Sequence, residues 1–153
     1  MIRRPPRSTR KESSAASDVY KRQSTGYSSA ILSNIAETVI SIEEDDQLVN
    51  FSETIVLDKK IDNVVFLKKD LNEGCPEHGP FNKILIEGAV EDIPSYLFDQ
   101  LDENGKMIAI IANGDLSEVR EYNKVGENIG SKFLFNCEAP KLKAFNKTDS
   151  FNF

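Results

Sequence analysis

From Ser24 onward, short apolar runs alternate along the chain with longer amphipathic stretches. Four of these runs predict buried strands, because they are rich in β-branched residues and are bounded by charged or turn-forming residues. They are Thr38–Ile42, Asn63–Leu67, Lys83–Glu87 and Lys106–Ala112. Between them, apolar residues at helical spacing predict helices over Asp45–Lys60 and Asp92–Leu101. Near-continuous apolar strands separated by helices are typical of a parallel sheet covered on both faces.

The period of the pattern changes near the end of the chain. Glu118–Lys124 and Lys132–Asn136 flank Gly126 and Gly130, an arrangement that predicts an antiparallel hairpin. The chain has 153 residues, which suits a single domain with a sizeable core. We therefore expect an α/β fold with a mostly parallel sheet that ends in an antiparallel hairpin.

The charge of the chain changes sharply near position 24. Residues 1–23 carry seven Lys and Arg against two acidic residues, a net charge of +5, so the overall charge of −6 leaves −11 for the rest. A basic arm that binds nucleic acid is one explanation of this contrast. However, the segment SDVYKRQ at 17–23 resembles translated sequencing-adapter sequence. We therefore expect residues 1–23 to be a non-native or disordered leader and the genuine domain to begin at Ser24.

Several classes of protein and site are disfavoured by composition. No apolar run approaches the ~18 residues that a membrane helix needs, and the start does not match a secretory signal. The two cysteines, Cys75 and Cys137, are too few for a disulfide framework, so we expect reduced thiols and a cytoplasmic location. His78 is the only histidine, and with Cys75 it gives at most two metal ligands. We therefore expect no metal site and no catalytic triad.

Candidate binding residues fall where a sheet of this kind places its ligands. Thr25, Gly26 and Tyr27 end a turn that runs into a predicted helix, a setting that brings backbone N–H groups to a ligand. Glu43 closes a strand 17 residues after Gly26, near the ~20-residue spacing of carboxylates that bind ribose hydroxyls. Asp70 follows the next strand at the same edge. The alternatives are an ordinary helix start, a solvated carboxylate and a loop aspartate.

Four stretches of the chain match one family in order: TGYSSAIL, VISIEEDDQL, EGCPEHGPFNKILIEGAVEDIP and LFDQLDENGKMIAII. Through them the chain, from about Ser24 to Leu142, resembles the protein-L-isoaspartate O-methyltransferases, which have a Rossmann-like fold and use S-adenosylmethionine. Cys75 stands where the family has a tryptophan, and the turn at Glu87–Val90 departs from its usual small-residue run. The resemblance is therefore to a divergent member, with residues 24–153 as a partial methyltransferase domain.

The resemblance implies methyl transfer from S-adenosyl-L-methionine to the carboxylate of L-isoaspartyl residues in damaged proteins. It places Thr25, Gly26 and Tyr27 at the end of the cofactor's glycine loop, Glu43 on the ribose and Asp70 on the adenine. The family's first strand and N-terminal region have no counterpart in residues 1–23. No catalytic residue is therefore assigned, and we expect an inactive, unstable fragment with an unknown oligomeric state.

The absent first strand belongs at the centre of the family's sheet. Asp18–Arg22 could take its place, since Val19 and Tyr20 are good strand formers, but Lys21 or Arg22 would then face a buried side. A second hypothesis is a non-catalytic Rossmann-like module that binds a nucleotide or a protein, and a third is an NAD-dependent enzyme. Nucleic-acid and membrane partners are not expected, because the net charge of −11 repels phosphate.

Overall fold

A computed structural model describes residues 17–21, by their backbone, and residues 26–114 and 116–145. The strands of this part are β1 Ser17–Lys21, β2 Thr38–Glu43, β3 Val64–Lys68, β4 Phe81–Val90, β5 Leu101–Asn113, β6 Leu116–Val125 and β7 Asn128–Cys137. The helices are α1 Tyr27–Leu32, α2 Asp46–Asp58 and α3 Ser95–Asp99. Single 3₁₀ turns occur at Pro76–His78 and Lys143–Phe145.

The strands form one mixed sheet in the order β3-β2-β1-β4-β5-β6-β7. The first five strands in this order are parallel, and β6 and β7 extend the sheet in an antiparallel manner. Ser17–Lys21 takes the central place, paired with β2 on one side and β4 on the other. The predicted α/β fold with its antiparallel end is thus confirmed. The side chains of Lys21 and Arg22 lie outside the described part, so their predicted burial cost stays a prediction.

Most of the predicted elements exist within a few residues of their expected bounds, and the largest difference lies at Asn104-Gly105. The predicted helix Asp92–Leu101 and the predicted strand Lys106–Ala112 leave these two residues as a turn, whereas β5 already begins at Leu101, which pairs with Phe81. Asn104 has a φ of 60°, and the register of β4 and β5 shifts between Phe81 and Lys83. Asn104 and Gly105 therefore form an irregularity inside β5 instead of a turn before it. Because β5 begins at Leu101, α3 ends at Asp99 and has only five residues.

Each helix begins at a residue suited to a helix start. Asp45 caps α2, because its Oδ1 accepts hydrogen bonds from the N–H of Gln47 (2.7 Å) and of Leu48 (3.3 Å). Pro94 precedes α3, where a missing N–H costs nothing, and Gly26 precedes α1 with a left-handed φ of 69°. Within the described ranges no helix has both the length and the apolar character needed to cross a membrane.

The core is continuous from the central strands to α3 and to the last described residues. Ile42, Ile86 and Phe81 are fully buried, and Leu142 and Phe145 from the end of the chain belong to the same cluster. The burial follows from the apolar runs, since parallel strands covered on both faces need apolar side chains at successive positions. Residues 141–145 are thereby fixed to the sheet.

Candidate functional site at the carboxyl edge of the parallel strands

The carboxyl ends of β2 and β3 lie side by side. Glu43, the last residue of β2, pairs in register with Lys68, the last residue of β3, and Asp70 follows two residues later. Lys68 reaches across to form an ion pair with Asp46 in the first turn of α2. Two parallel strands therefore end at one edge, as open α/β sheets with ligand sites require.

Glu43 is the best-fixed carboxylate at this edge. Its side chain is 6% exposed, and its Oε1 accepts hydrogen bonds from the N–H of Glu44 (2.9 Å) and of Asp45 (3.3 Å). Two N–H donors from the turn that starts α2 hold the carboxylate against the end of β2. An ionised carboxylate that accepts such bonds is an acceptor-only group of fixed position. It is suited to bind hydroxyl donors of a ligand.

A crevice of about 530 Å³ opens in front of Glu43. Its walls come from the turn after β2, from α2, from the loop after β3 and from the end of the chain. The lining residues are Glu43, Glu44, Asp45, Leu48, Leu71, Lys141, Leu142, Lys143 and Ala144. This volume is in the range of small-molecule sites in proteins, roughly 300 to 1,000 Å³. The crevice is polar at Glu43 and apolar at Leu48 and Leu71.

Asp70 is at the predicted edge, but its surroundings differ from those of Glu43. The side chain is exposed, its Oδ1 accepts a hydrogen bond from the N–H of Asn72 (2.8 Å), and it is not among the residues that line the crevice. Its neighbour Leu71 is buried, lines the crevice and donates its N–H to Glu44 Oε1 (3.1 Å). Sequence analysis missed Leu71, although an apolar residue directly after the edge aspartate was an available signal.

The residues 140–145 form a strap across the carboxyl end of β4. Ala89 donates its N–H to the carbonyl of Pro140 (2.9 Å), and Leu142 donates its N–H to the carbonyl of Ala89 (2.8 Å). Asn72 donates a hydrogen bond to the carbonyl of Ala144, so the strap also joins the loop after β3. Sequence analysis missed the strap. The three-residue spacing of Leu142 and Phe145, both buried, was the only signal for it.

Gly88 permits the close approach of the strap to β4. It has a φ of 144°, and a Cβ at this position would lie 2.6 Å from Cγ of Leu142. Any side chain here would push Leu142 away and would also strain the backbone. A glycine at a strand end can let a ligand come close, and in this structure the chain's own Leu142 occupies that side of the strand.

The described residues of the predicted glycine turn are Gly26 and Tyr27. Gly26 is buried against α2 and β3, since a Cβ there would lie 3.0 Å from Ser52 Cβ and 3.4 Å from Phe66 Cζ. Tyr27 is 70% exposed, and neither residue is among those that line the crevice. Thr25 lies outside the described residues. The structure thus joins Glu43 to the crevice, while the roles of Gly26, Tyr27 and Thr25 stay predictions.

Three shifted pKa values cluster in the loop after β3. The pKa of Lys69 is raised, first by its hydrogen bond to Glu77, and the pKa of Glu77 is lowered by the same bond. The pKa of the Cys75 thiol is raised, first by burial and then by the charge of Glu77. None of these three groups is among the residues that line the crevice.

Comparison with a sequence model of protein families gives one match over most of the chain. Residues 22–137 match the Protein-L-isoaspartate(D-aspartate) O-methyltransferase (PCMT) family. The chain belongs to this family. The resemblance inferred from the four sequence stretches is thereby confirmed.

Relatives within the family are longer than the part that matches this chain. It is 35% identical over 91 residues to the protein-L-isoaspartate O-methyltransferase of Jannaschia sp. (strain CCS1), which covers 60% of this chain and 41% of that protein. A solved protein-L-isoaspartate O-methyltransferase superposes with a TM-score of 0.77 at 22% identity, over 84% of this chain and 42% of the other, which shows the shared fold. The chain thus spans less than half the length of these two relatives.

A third relative was solved with a ligand. It is a Plasmodium falciparum protein assigned as a protein-L-isoaspartate O-methyltransferase, in complex with S-adenosyl-L-homocysteine. It superposes with a TM-score of 0.66 at 29% identity, over 84% of this chain and 66% of that one.

Proposed function

We propose that this chain carries the cofactor-binding part of a protein-L-isoaspartate O-methyltransferase. The whole enzyme would transfer a methyl group from S-adenosyl-L-methionine to the carboxylate of L-isoaspartyl residues in damaged proteins. The observation that carries the proposal is the buried Glu43 carboxylate, fixed at the end of β2 and facing a crevice of about 530 Å³. Family membership supplies the substrate class and the reaction.

The residues at the crevice fit the nucleoside end of such a cofactor. The acceptor-only carboxylate of Glu43 matches the two hydroxyl donors of a ribose. Leu48 and Leu71 provide an apolar surface for a base, and the hydrogen bond from the Leu71 N–H to Glu44 holds Leu71 in place. The adenine contact of Asp70 remains part of the proposal, and so do the contacts of Thr25, Gly26 and Tyr27 with the rest of the cofactor.

The chemistry needs positioning more than acid–base catalysis. When bound, S-adenosyl-L-methionine would supply an electrophilic methyl group: a carboxylate oxygen bonds to the methyl carbon, the carbon–sulfur bond breaks, and S-adenosyl-L-homocysteine leaves without any proton transfer. The residues of this chain contribute by holding the nucleoside at one place through Glu43 and by excluding water with Leu71 and Leu142, both buried. Holding two reactants in a fixed orientation can lower the activation free energy substantially. No catalytic residue is assigned within the chain.

The partner of the whole enzyme would be a protein or peptide that contains isoaspartyl residues. We also propose a cytoplasmic location, in keeping with Cys75 and Cys137, which are both free thiols in the structure. The division of the chain into a leader at residues 1–23 and a partial methyltransferase domain at 24–153 stays a proposal too. Ser17–Lys21, which the proposal assigns to the leader, pairs with β2 and β4.

Calorimetric titration of the chain with S-adenosyl-L-homocysteine tests the proposal. We expect binding to the chain and a loss of about tenfold or more in affinity for Glu43→Gln, because the amide replaces one acceptor oxygen with a donor. The matched control is Glu53→Gln, which changes an exposed carboxylate on α2 outside the crevice lining and should leave the affinity unchanged.

Two outcomes would contradict the proposal. Absence of binding at millimolar ligand would remove the cofactor assignment, and equal affinities of the chain and Glu43→Gln would remove Glu43 from the site. Transfer of labelled methyl groups to an isoaspartyl peptide, compared with the matching aspartyl peptide, then tests the reaction itself. Binding without any transfer, by a form that includes the region found in longer relatives, would favour the non-catalytic binding module.

A further inference from the structure

The loop between β3 and β4 brings together three metal-ligating side chains. Within the described residues, Cys75, Glu77 and His78 are the one group of this kind, with their ligand atoms all within 4.8 Å of one another. We propose that these residues form a binding site for a single Zn²⁺ ion. None of the three lines the crevice, so the site is separate from the proposed cofactor site.

The fold supplies what sequence analysis lacked. Cys75 and His78 alone were taken as an insufficient pair, since two ligands do not make a site. The 3₁₀ turn Pro76–His78 closes with the N–H of His78 donating to the carbonyl of Cys75 (3.1 Å), and it brings the Glu77 carboxylate to the same point. A thiol, a carboxylate and an imidazole thereby converge, which leaves a fourth position of a tetrahedron for water.

The backbone of the loop is held in place before any ion binds. Gln100 is 7% exposed, and its Oε1 accepts the N–H of Cys75 (2.8 Å) while its Nε2 donates to the carbonyl of Glu73 (2.8 Å). Pro76 further limits the loop by fixing its own φ. The position of the Cys75 Sγ is thus determined by the core, and an ion would not have to order the loop.

The distances allow zinc coordination after a small adjustment. Bonds of ~2.0 to 2.3 Å in a tetrahedral zinc site set the ligand atoms roughly 3.3 to 3.8 Å apart. Cys75 is fully buried, but Glu77 and His78 are exposed and can rotate towards it. The ion would enter from the solvent side of the turn, between the carboxylate and the imidazole. A ligand set of sulfur, nitrogen and oxygen favours Zn²⁺ over Mg²⁺ or Ca²⁺.

The charges around the site match a divalent cation. A Cys75 thiolate and the Glu77 carboxylate carry two negative charges, which Zn²⁺ neutralises. Because zinc binds the thiolate form of cysteine, binding at Cys75 would release the thiol proton to solvent. Lys69 forms an ion pair with Oε1 of Glu77. Such outer hydrogen bonds to a ligating carboxylate are usual in metal sites.

Titration of the chain, free of any histidine tag, with Co²⁺ as a spectroscopic substitute for Zn²⁺ tests the site. We expect one equivalent of Co²⁺ to give a thiolate-to-cobalt charge-transfer band and the visible bands of a four-coordinate ion, both abolished by one equivalent of Zn²⁺. Cys75→Ser should remove the charge-transfer band. His78→Gln should weaken binding by at least about tenfold, on the scale of losses seen when metal sites are perturbed.

Two variants serve as matched controls. Cys137→Ser removes the other thiol, and Glu73→Gln removes an exposed carboxylate of the same loop; neither should change the spectrum or the affinity. His78 is exposed, so its variant tests the site even if Cys75→Ser fails to fold. Absence of a charge-transfer band at millimolar Co²⁺ would overturn the proposal. A band that is lost in Cys137→Ser, or that is unaffected in His78→Gln, would do the same.

Discussion

The parallel part of the sheet, β1 to β5, and its antiparallel extension, β6 and β7, differ in how far their side chains are buried. In β2 every residue after Thr38 is buried, whereas in β7 every residue except Cys137 is exposed. Crossover connections bring the loops after β2 and β3 to one edge, where Glu43 and Leu71 line the crevice together with Leu142 of the strap. A hairpin joins neighbouring strands directly and builds no such crevice. The binding site therefore belongs to the parallel part.

The largest expected effect is on stability and follows from the difference in burial. Ile86→Ala in β4 removes a fully buried side chain and should lower the free energy of unfolding by about 2 to 5 kcal/mol. Phe135→Ala in β7 removes a larger side chain that is 56% exposed and should cost less than about 1 kcal/mol. Urea unfolding measures both. Equal losses of unfolding free energy would show that the hairpin face is covered in solution, and would contradict the difference in burial between the two parts.

A smaller effect is expected from two glycines with positive φ, one in each part. Gly88→Ala strains the backbone and meets Leu142, while Gly126→Ala at the β6–β7 turn has the strain but no atom within 4 Å of the new Cβ. We expect about 1 to 3 kcal/mol of destabilisation for Gly88→Ala and about 1 kcal/mol for Gly126→Ala. Tryptic cleavage after Lys141 or Lys143 should accelerate only in Gly88→Ala. Unchanged cleavage would contradict the strap's dependence on Gly88.

The smallest effect concerns an ion pair within the antiparallel part and depends on pH. Arg120 donates a hydrogen bond to Glu118 (2.8 Å), which is the main cause of the lowered pKa of Glu118. A lowered pKa in the folded state means that the pair stabilises the fold above the unfolded pKa, ~4.3, and that this contribution is lost as the pH falls through the folded pKa. Arg120→Met should therefore lower the urea midpoint slightly at pH 7 and not at about pH 3.

The control for this pH dependence is Lys59→Met, which removes an exposed pair with Asp58 at 3.6 Å. We expect no measurable change in its urea midpoint at either pH, because exposed pairs contribute little. An equal loss for Arg120→Met at both pH values would assign its effect to packing of the side-chain stem instead of to the ion pair.

The sequence was sufficient for the parts of the molecule that local patterns determine. The apolar runs predicted β2, β3, β4 and β5, and the end of a buried strand predicted the position of Glu43. The strap could not be predicted, because residues 140–145 bind to β4 through backbone hydrogen bonds that leave no periodic pattern. The contact of Glu77 with Cys75 and His78 depends on one 3₁₀ turn, which three residues do not specify in advance. Sequence patterns therefore do not predict the long-range contacts of short segments.

The central claim is that a nucleoside binds at the carboxyl edge of the parallel strands and nowhere on the hairpin. Amide spectra of ¹⁵N-labelled chain, recorded during titration with S-adenosyl-L-homocysteine, test it most directly. The account predicts saturable shifts at Glu44, Asp45 and Leu71, which surround Glu43, and unchanged resonances along β7. Shifts confined to β6 and β7, or no shifts at millimolar ligand, would contradict it.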